Sequence, residues 1–229
     1  MKVIILFGSR SDEPAFAELC TKLKTDPIIC SAHRNPEALR EIIANTDAEL
    51  IIAGAGLAAH LPGVIASQTL KPVIGLPIPA NFNGLDALLS IIQMPPGIPV
   101  LAAGNWKSIL PFLTHLEGKQ GITFEIHGEN CQQAFDKAKE TMKQFTYPEG
   151  NLKIAFHDFN HAKPQDDAIN VLCGHPSGKD AHKLLSITEH GLWVGLNRGE
   201  NAVLAAIALL ERTAHFQPLQ DYRDQWKVA

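Results

Sequence analysis

The chain has 229 residues and a formal net charge of −4, with 45% hydrophobic and 19% charged residues. That is enough apolar material for one large domain or two small ones, and the balance is that of an ordinary globular protein. The acidic charge argues against nucleic acid or an anionic membrane as the main partner. The opening MKVIILFGSRSD has too short an apolar run for a signal peptide, and no stretch approaches a membrane span. Cys20, Cys30, Cys131 and Cys173 form no CxxC pair and suggest no disulfide framework. A reduced, cytoplasmic protein is expected.

The first hundred residues repeat one pattern, in which a short apolar run leads through a Gly/Pro/Ser turn into an amphipathic stretch. Val3–Phe7 precedes GSRSDEP and a helical spacing over Ala15–Leu23. Ile28–Cys30 precedes SAHRNP and Glu37–Ala44; Leu50–Ala53 precedes GAGLAAHLPG and Val64–Leu70. Val73–Leu76 precedes PIPANFNG and Leu85–Ile92, and Ile98–Ala102 closes the series. Strands alternating with helices imply βαβ units and a parallel sheet covered on both faces. The expected fold is therefore α/β, a doubly wound, three-layer parallel sheet. Its turns at 8–14, 31–36, 54–62 and 77–84 should gather at the strand C-terminal edge, where open sheets bind ligands.

From 104 to 187 the rhythm changes. Apolar runs at Ile122–Ile126, Leu152–Phe156 and Ile169–Cys173 surround a charged helical stretch, Gln132–Phe145. These residues are expected to form a small inserted α+β lobe, leaving 1–103 plus 188–229 as the core. The lobe holds six of the ten histidines, among them His157, His161 and His175, but no recognised zinc spacing. Then Leu192–Leu196 reads as a strand, and NAVLAAIALL over Asn201–Leu210 is apolar all round. Such a helix is normally buried, here against another subunit.

Three turns carry chemistry. Ser9 can hydrogen-bond a phosphate and Asp12 can accept from sugar hydroxyls, although Ser11 or Asp12 could equally cap a helix. Ser31, His33 and Arg34 present a hydroxyl, an imidazole and a guanidinium together. The guanidinium suits a phosphate, and imidazole is the group that most readily takes and returns a proton near neutral pH. Gly54, Ala55 and Gly56 form a turn of small residues before Leu57 and His60. His60 is either a second proton carrier or a residue that orients the loop. The same turn fits G-x-G-x-x-A, yet no Asp or Glu lies between Gly63 and Asp86 to hold a ribose, which excludes a dinucleotide reading.

GSRSDEP, SAHRNP, AGAGLAAHLPG, NGLDALLSIIQMPPGIPV and GLNRGENAVLAAIALL together resemble the PurE family, in that order, over about 1–103 and 188–229. The resemblance implies a flavodoxin-like sheet and an octamer, with C-terminal helices packing across subunits. It implies N5-carboxyaminoimidazole ribonucleotide mutase activity, moving CO2 from the exocyclic nitrogen of a phosphoribosyl substrate to its ring carbon without cofactor or metal. His33 would be catalytic. Ser9, Asp12, Ser31 and Arg34 would hold the ribose 5-phosphate, and Gly54, Ala55, Gly56, Leu57 and His60 would cover the imidazole and its carboxylate. The alternatives are a carboxylase using free CO2, for which the AAHLPG loop is the wrong form, and a non-catalytic module that binds the same ligand.

Overall fold

The computed structural model describes residues 1–56, 60–80 and 82–227. Its nine strands are β1 (Val3–Phe7), β2 (Pro27–Ile29), β3 (Leu50–Ala55), β4 (Val73–Pro77), β5 (Leu101–Ala102), β6 (Ile122–His127), β7 (Leu152–Asp158), β8 (Ala168–Cys173) and β9 (Leu192–Val194). They form one sheet in the order β2-β1-β3-β4-β5-β9-β8-β7-β6. β3, β4 and β8 are buried along their whole length, as continuous apolar runs covered on both faces must be.

Among the described residues nine α-helices cover the sheet: α1 (Glu13–Leu23), α2 (Pro36–Asn45), α3 (His60–Gln68), α4 (Leu85–Ile92), α5 (Ile109–Leu116), α6 (Gln132–Met142), α7 (Ala181–Thr188), α8 (Gly199–Glu211) and α9 (Gln217–Asp224). Two buried clusters show how they divide. Phe16 and Leu19 of α1, Phe112 of α5, Ala134 of α6 and Ile207 of α8 share one face. Leu39 of α2, Ile65 of α3, Leu88 of α4 and Leu184 of α7 share the other. The expected three-layer, doubly wound α/β arrangement is what the chain adopts.

Local chemistry sets the element ends. Pro14 and Pro36 sit in the first turns of α1 and α2, where an amide N–H would have no helical partner. α1 stops at Lys24, whose φ of 51° is left-handed and turns the chain toward β2.

Two features differ from the sequence expectation. The stretch 104–187 supplies helices and strands, but its strands do not make a separate lobe: β6, β7 and β8 extend the main sheet beyond β9. β6 to β9 are parallel to one another, and β9 runs antiparallel to β5 through Ala102 and Trp193. The C-terminal ends of β1–β5 thus lie on one edge of the sheet and those of β6–β9 on the opposite edge. The second difference concerns α8. Every residue from Gly199 to Leu209 is buried within this chain, without a second subunit. The cover comes from β7 to β9 beneath it and from α6 beside it. A Cβ on Gly199 would lie 1.8 Å from the Ala134 carbonyl oxygen, so only glycine permits so close a helix crossing.

α8 also holds the first half of the chain in place. Its buried Asn201 accepts from the Gly97 N–H at 2.9 Å and donates to the Pro95 carbonyl at 2.9 Å. Replacing it with alanine orphans the buried Gly97 N–H and removes the part-buried bond to Pro95, which costs about 1–3 kcal/mol. Urea unfolding of Asn201→Ala should show that loss, and an unchanged midpoint would refute it.

Candidate functional site

β1, β2 and β3 end side by side, and their exits are tied together by backbone hydrogen bonds. Gly8 N–H donates to the Gly54 carbonyl at 3.3 Å, Cys30 N–H to Phe7 at 2.9 Å, and Ile78 N–H to Ala55 at 3.1 Å. The turns that follow enclose a cavity of about 710 Å³, lined by Ser9, Asp12, Ser31, His33, Ala55, Gly56 and His60 among others. This is the carboxyl edge of an open parallel sheet, where such folds take their ligands.

Each expected residue can now be placed. Ser9 accepts from the Ser11 N–H and, at 2.8 Å, from the Ser11 hydroxyl, which shapes the short 3-10 turn before α1. Burial pushes the Asp12 carboxyl above its ordinary range, and hydrogen bonds from the Ser9 backbone and Ser11 side chain oppose that shift. Ser31 Oγ accepts from the Arg34 N–H at 3.3 Å and so folds the turn that carries His33 outward. The Arg34 guanidinium reaches back to the Gly8 carbonyl at 3.3 Å, which places a cation beside the rim of the cavity. The His33 and His60 rings meet edge to face with centroids 5.2 Å apart. Leu57 lies outside the described residues.

Gly54 has a different task from the one expected. It does not line the cavity; a Cβ there would sit 2.1 Å from the Phe7 ring, so its bareness serves the packing of β1 on β3. Gly56 does line the cavity, and its Cβ position lies 3.4 Å from the Ile78 carbonyl oxygen. Ile78, Pro79 and Ala80 complete the wall. The turn at 77–84 signalled them by its position after β4, although none bears a reactive group.

A second cavity, of about 680 Å³, lies at the opposite ends of these strands among Ile43, Leu70, Pro95, Ile98 and Trp226. Its guanidinium, on Arg223, donates to the Thr69 carbonyl at 2.6 Å. It gathers no acid–base pair comparable to His33 and His60. Among the described residues no group of three or more His, Cys, Asp or Glu could hold a metal ion. No described helix is long and apolar enough to cross a membrane.

The histidines of β6 and β7 are structural. His157 is buried, its Nε2 lies 2.9 Å from Asn170 Oδ1, and its ring stacks on His127 at 5.0 Å. Its Nδ1 has no hydrogen-bond partner among the described residues. His161 is 83% exposed, so the pair shares no ligand-binding face. Burial chiefly lowers the His157 pKa, from 6.5 to about 4. Between those values the unfolded chain takes up a proton that the native chain refuses. Stability is therefore full above pH 6.5 and falls as pH drops toward 4, by at most about 3 kcal/mol. Urea unfolding at several pH values should show that slope, and His157→Gln should flatten it. An equally steep slope in the variant would refute the assignment.

The carboxyl-edge crevice of this α/β sheet brings hydroxyls, a carboxylate and two imidazoles together, with a guanidinium at its rim, groups whose chemistry matches a phosphorylated small molecule. Residues 2–107, which span β1 to β5, match the family model described as AIR carboxylase. The chain is 41% identical over 150 residues to the N5-carboxyaminoimidazole ribonucleotide mutase of Methanocaldococcus jannaschii, covering 63% of this chain and 92% of that protein. It is 51% identical over 112 residues to the protein of that name from Pyrococcus abyssi, covering 45% and 64%. To the one from Mycobacterium tuberculosis it is 47% identical over 108 residues, covering 43% and 62%. The chain belongs to the AIR carboxylase family.

Proposed function

We propose that this protein is an N5-carboxyaminoimidazole ribonucleotide mutase. The observation that carries the reading is the meeting of Ser9, Asp12, Ser31, His33 and His60 in one cavity, with Arg34 at its rim. The names of the curated relatives support the same activity.

In this reading Arg34, Ser31 and Ser9 hold the 5-phosphate, a guanidinium and hydroxyls being natural partners for its oxygens. Asp12 accepts from the ribose hydroxyls. The carbamate on the exocyclic nitrogen then loses CO2, and the nitrogen gains a proton from His33. The ring carbon attacks the trapped CO2, and His33 recovers the proton that this carbon releases. Atoms balance, since one proton is lent and returned. Ala55 and Gly56 leave room for a flat ring, and closure over it keeps water from the freed CO2. The site needs positioning and one reversible acid–base group. The protein would act in the cytoplasm as a homo-oligomer.

The test incubates purified protein with N5-carboxyaminoimidazole ribonucleotide and follows formation of the ring-carboxylated isomer. Conversion at substrate levels that exclude free bicarbonate supports the mutase. Conversion only of 5-aminoimidazole ribonucleotide plus CO2 would establish the carboxylase instead, and ligand binding without either reaction would reduce the protein to a binding module.

A further inference from the structure

The two halves of the sheet mirror each other. Inside its edge strand β2 the first half runs β1, β3, β4, β5, and from its outer end inward the second runs β6, β7, β8, β9, with β5 and β9 meeting antiparallel at the centre. The elements correspond in kind and length. β1 leads through a three-residue 3-10 turn into the eleven residues of α1; β6 leads through another such turn into the eleven residues of α6. β4 leads through a 3-10 turn into the eight residues of α4 and then β5; β8 leads through a 3-10 turn into the eight residues of α7 and then β9. The sequence keeps a trace, Leu88-Leu89-Ser90-Ile91 in α4 and Leu184-Leu185-Ser186-Ile187 in α7. Corresponding helices also lie on the same face of the sheet, α1 with α6 and α4 with α7.

The seam is reciprocal. Gly104, just past β5, donates its N–H to the carbonyl of Thr188, the last residue of α7, at 3.1 Å. Gly195, just past β9, lies against the carbonyl of Ile92, the last residue of α4: a Cβ there would be 1.6 Å from that oxygen. When residue i of one unit meets j of the other, and j meets i, the units are related by a two-fold axis.

We propose that residues 122–211 are a second, reduced copy of the unit built by residues 3–116, fused to it about a pseudo-two-fold axis between β5 and β9, and that this copy has lost its ligand site. It has no counterpart of β2 and α2, which carry Ser31, His33 and Arg34, nor of α3, which starts with His60. In place of Ser9 to Asp12 its first turn presents Gly128, Glu129, Asn130 and Cys131. Its strand ends enclose a shallow crevice of about 460 Å³ among Glu129, Asn130, Asn160 and His175. Glu129 stands where the first copy has Arg10, and exchanging a cation for an acid in this turn disfavours a phosphate. The reduced copy serves instead as a built-in partner that covers the edge of the two-residue strand β5. One substrate site per chain follows.

Two measurements on the full chain test this. Calorimetric unfolding should give one transition, and Ile91→Ala and Ile187→Ala, at corresponding positions of α4 and α7, should each lower it by roughly 5–10 °C. Two separate transitions, or variants that each move a different one, would overturn the fusion; Ile91→Val and Ile187→Val serve the same purpose should the alanine variants not fold. Titration with 4-carboxy-5-aminoimidazole ribonucleotide, an arm that rests on the function proposed above, should saturate at one equivalent per chain. Two equivalents would overturn the loss of the second site. No binding at all would refute the proposed function and leave the unfolding transition to decide the fusion.

Discussion

His33→Asn is expected to lower kcat by about 100- to 10,000-fold, while product affinity stays within about threefold. Asparagine keeps the approximate size and a hydrogen-bonding group but cannot lend and recover a proton. Ligand affinity should survive because the phosphate grip rests on other side chains: Ser9, Ser31 and Arg34 keep their contacts to Ser11, to the Arg34 backbone and to Gly8. Steady-state rates with calorimetric binding of the product separate the two effects. A variant that turns over normally would remove His33 from the chemistry, and a variant that loses binding in proportion to rate would make it a ligand anchor. His60, with its ring 5.2 Å from that of His33, is read by the same experiment. If it carries a proton, His60→Asn should match the loss in kcat. If it only orients the loop, KM should move more than kcat.

Much of this site was legible because its signals are local. Strand ends marked by Gly8, Ser31 and Gly56 were visible in the chain, and a parallel sheet necessarily brings such ends to one edge. Pairing at long range has no such signature. β5 and β9 are short apolar runs, and nothing in the run itself says which neighbour it takes or in which direction. Residues 104–187 accordingly read as an insertion, although their strands carry the sheet across Ala102 and Trp193 into a second half. The cover of α8 was illegible for a related reason: an all-apolar helix shows that it is buried, not by whom. Gly54 illustrates the opposite confusion. A glycine at a strand end fits a ligand turn, but the Phe7 ring occupies the space its missing side chain leaves.

The seam between the halves is where one added side chain should do most damage to stability. Gly195→Val is expected to cost about 3–5 kcal/mol, at the upper end for overpacking. The usual relief is a rotamer change in the neighbour, and here none exists. The first atom to collide is the Ile92 backbone carbonyl oxygen, 1.6 Å from the Cβ position, with its carbon at 2.7 Å. Relief requires moving the end of α4, and α4 is packed through Leu88 and Ile91 into the cluster that also holds Leu184, Ile187 and Trp193 of the second half. The damage therefore reaches both halves at once. Gly178→Ala is the matching control, because nothing lies within 4 Å of its Cβ position, and it should change stability by less than about 0.5 kcal/mol. Urea unfolding of both variants decides the matter: a Gly195→Val midpoint close to that of Gly178→Ala would mean that the two halves do not meet as tightly as this seam requires.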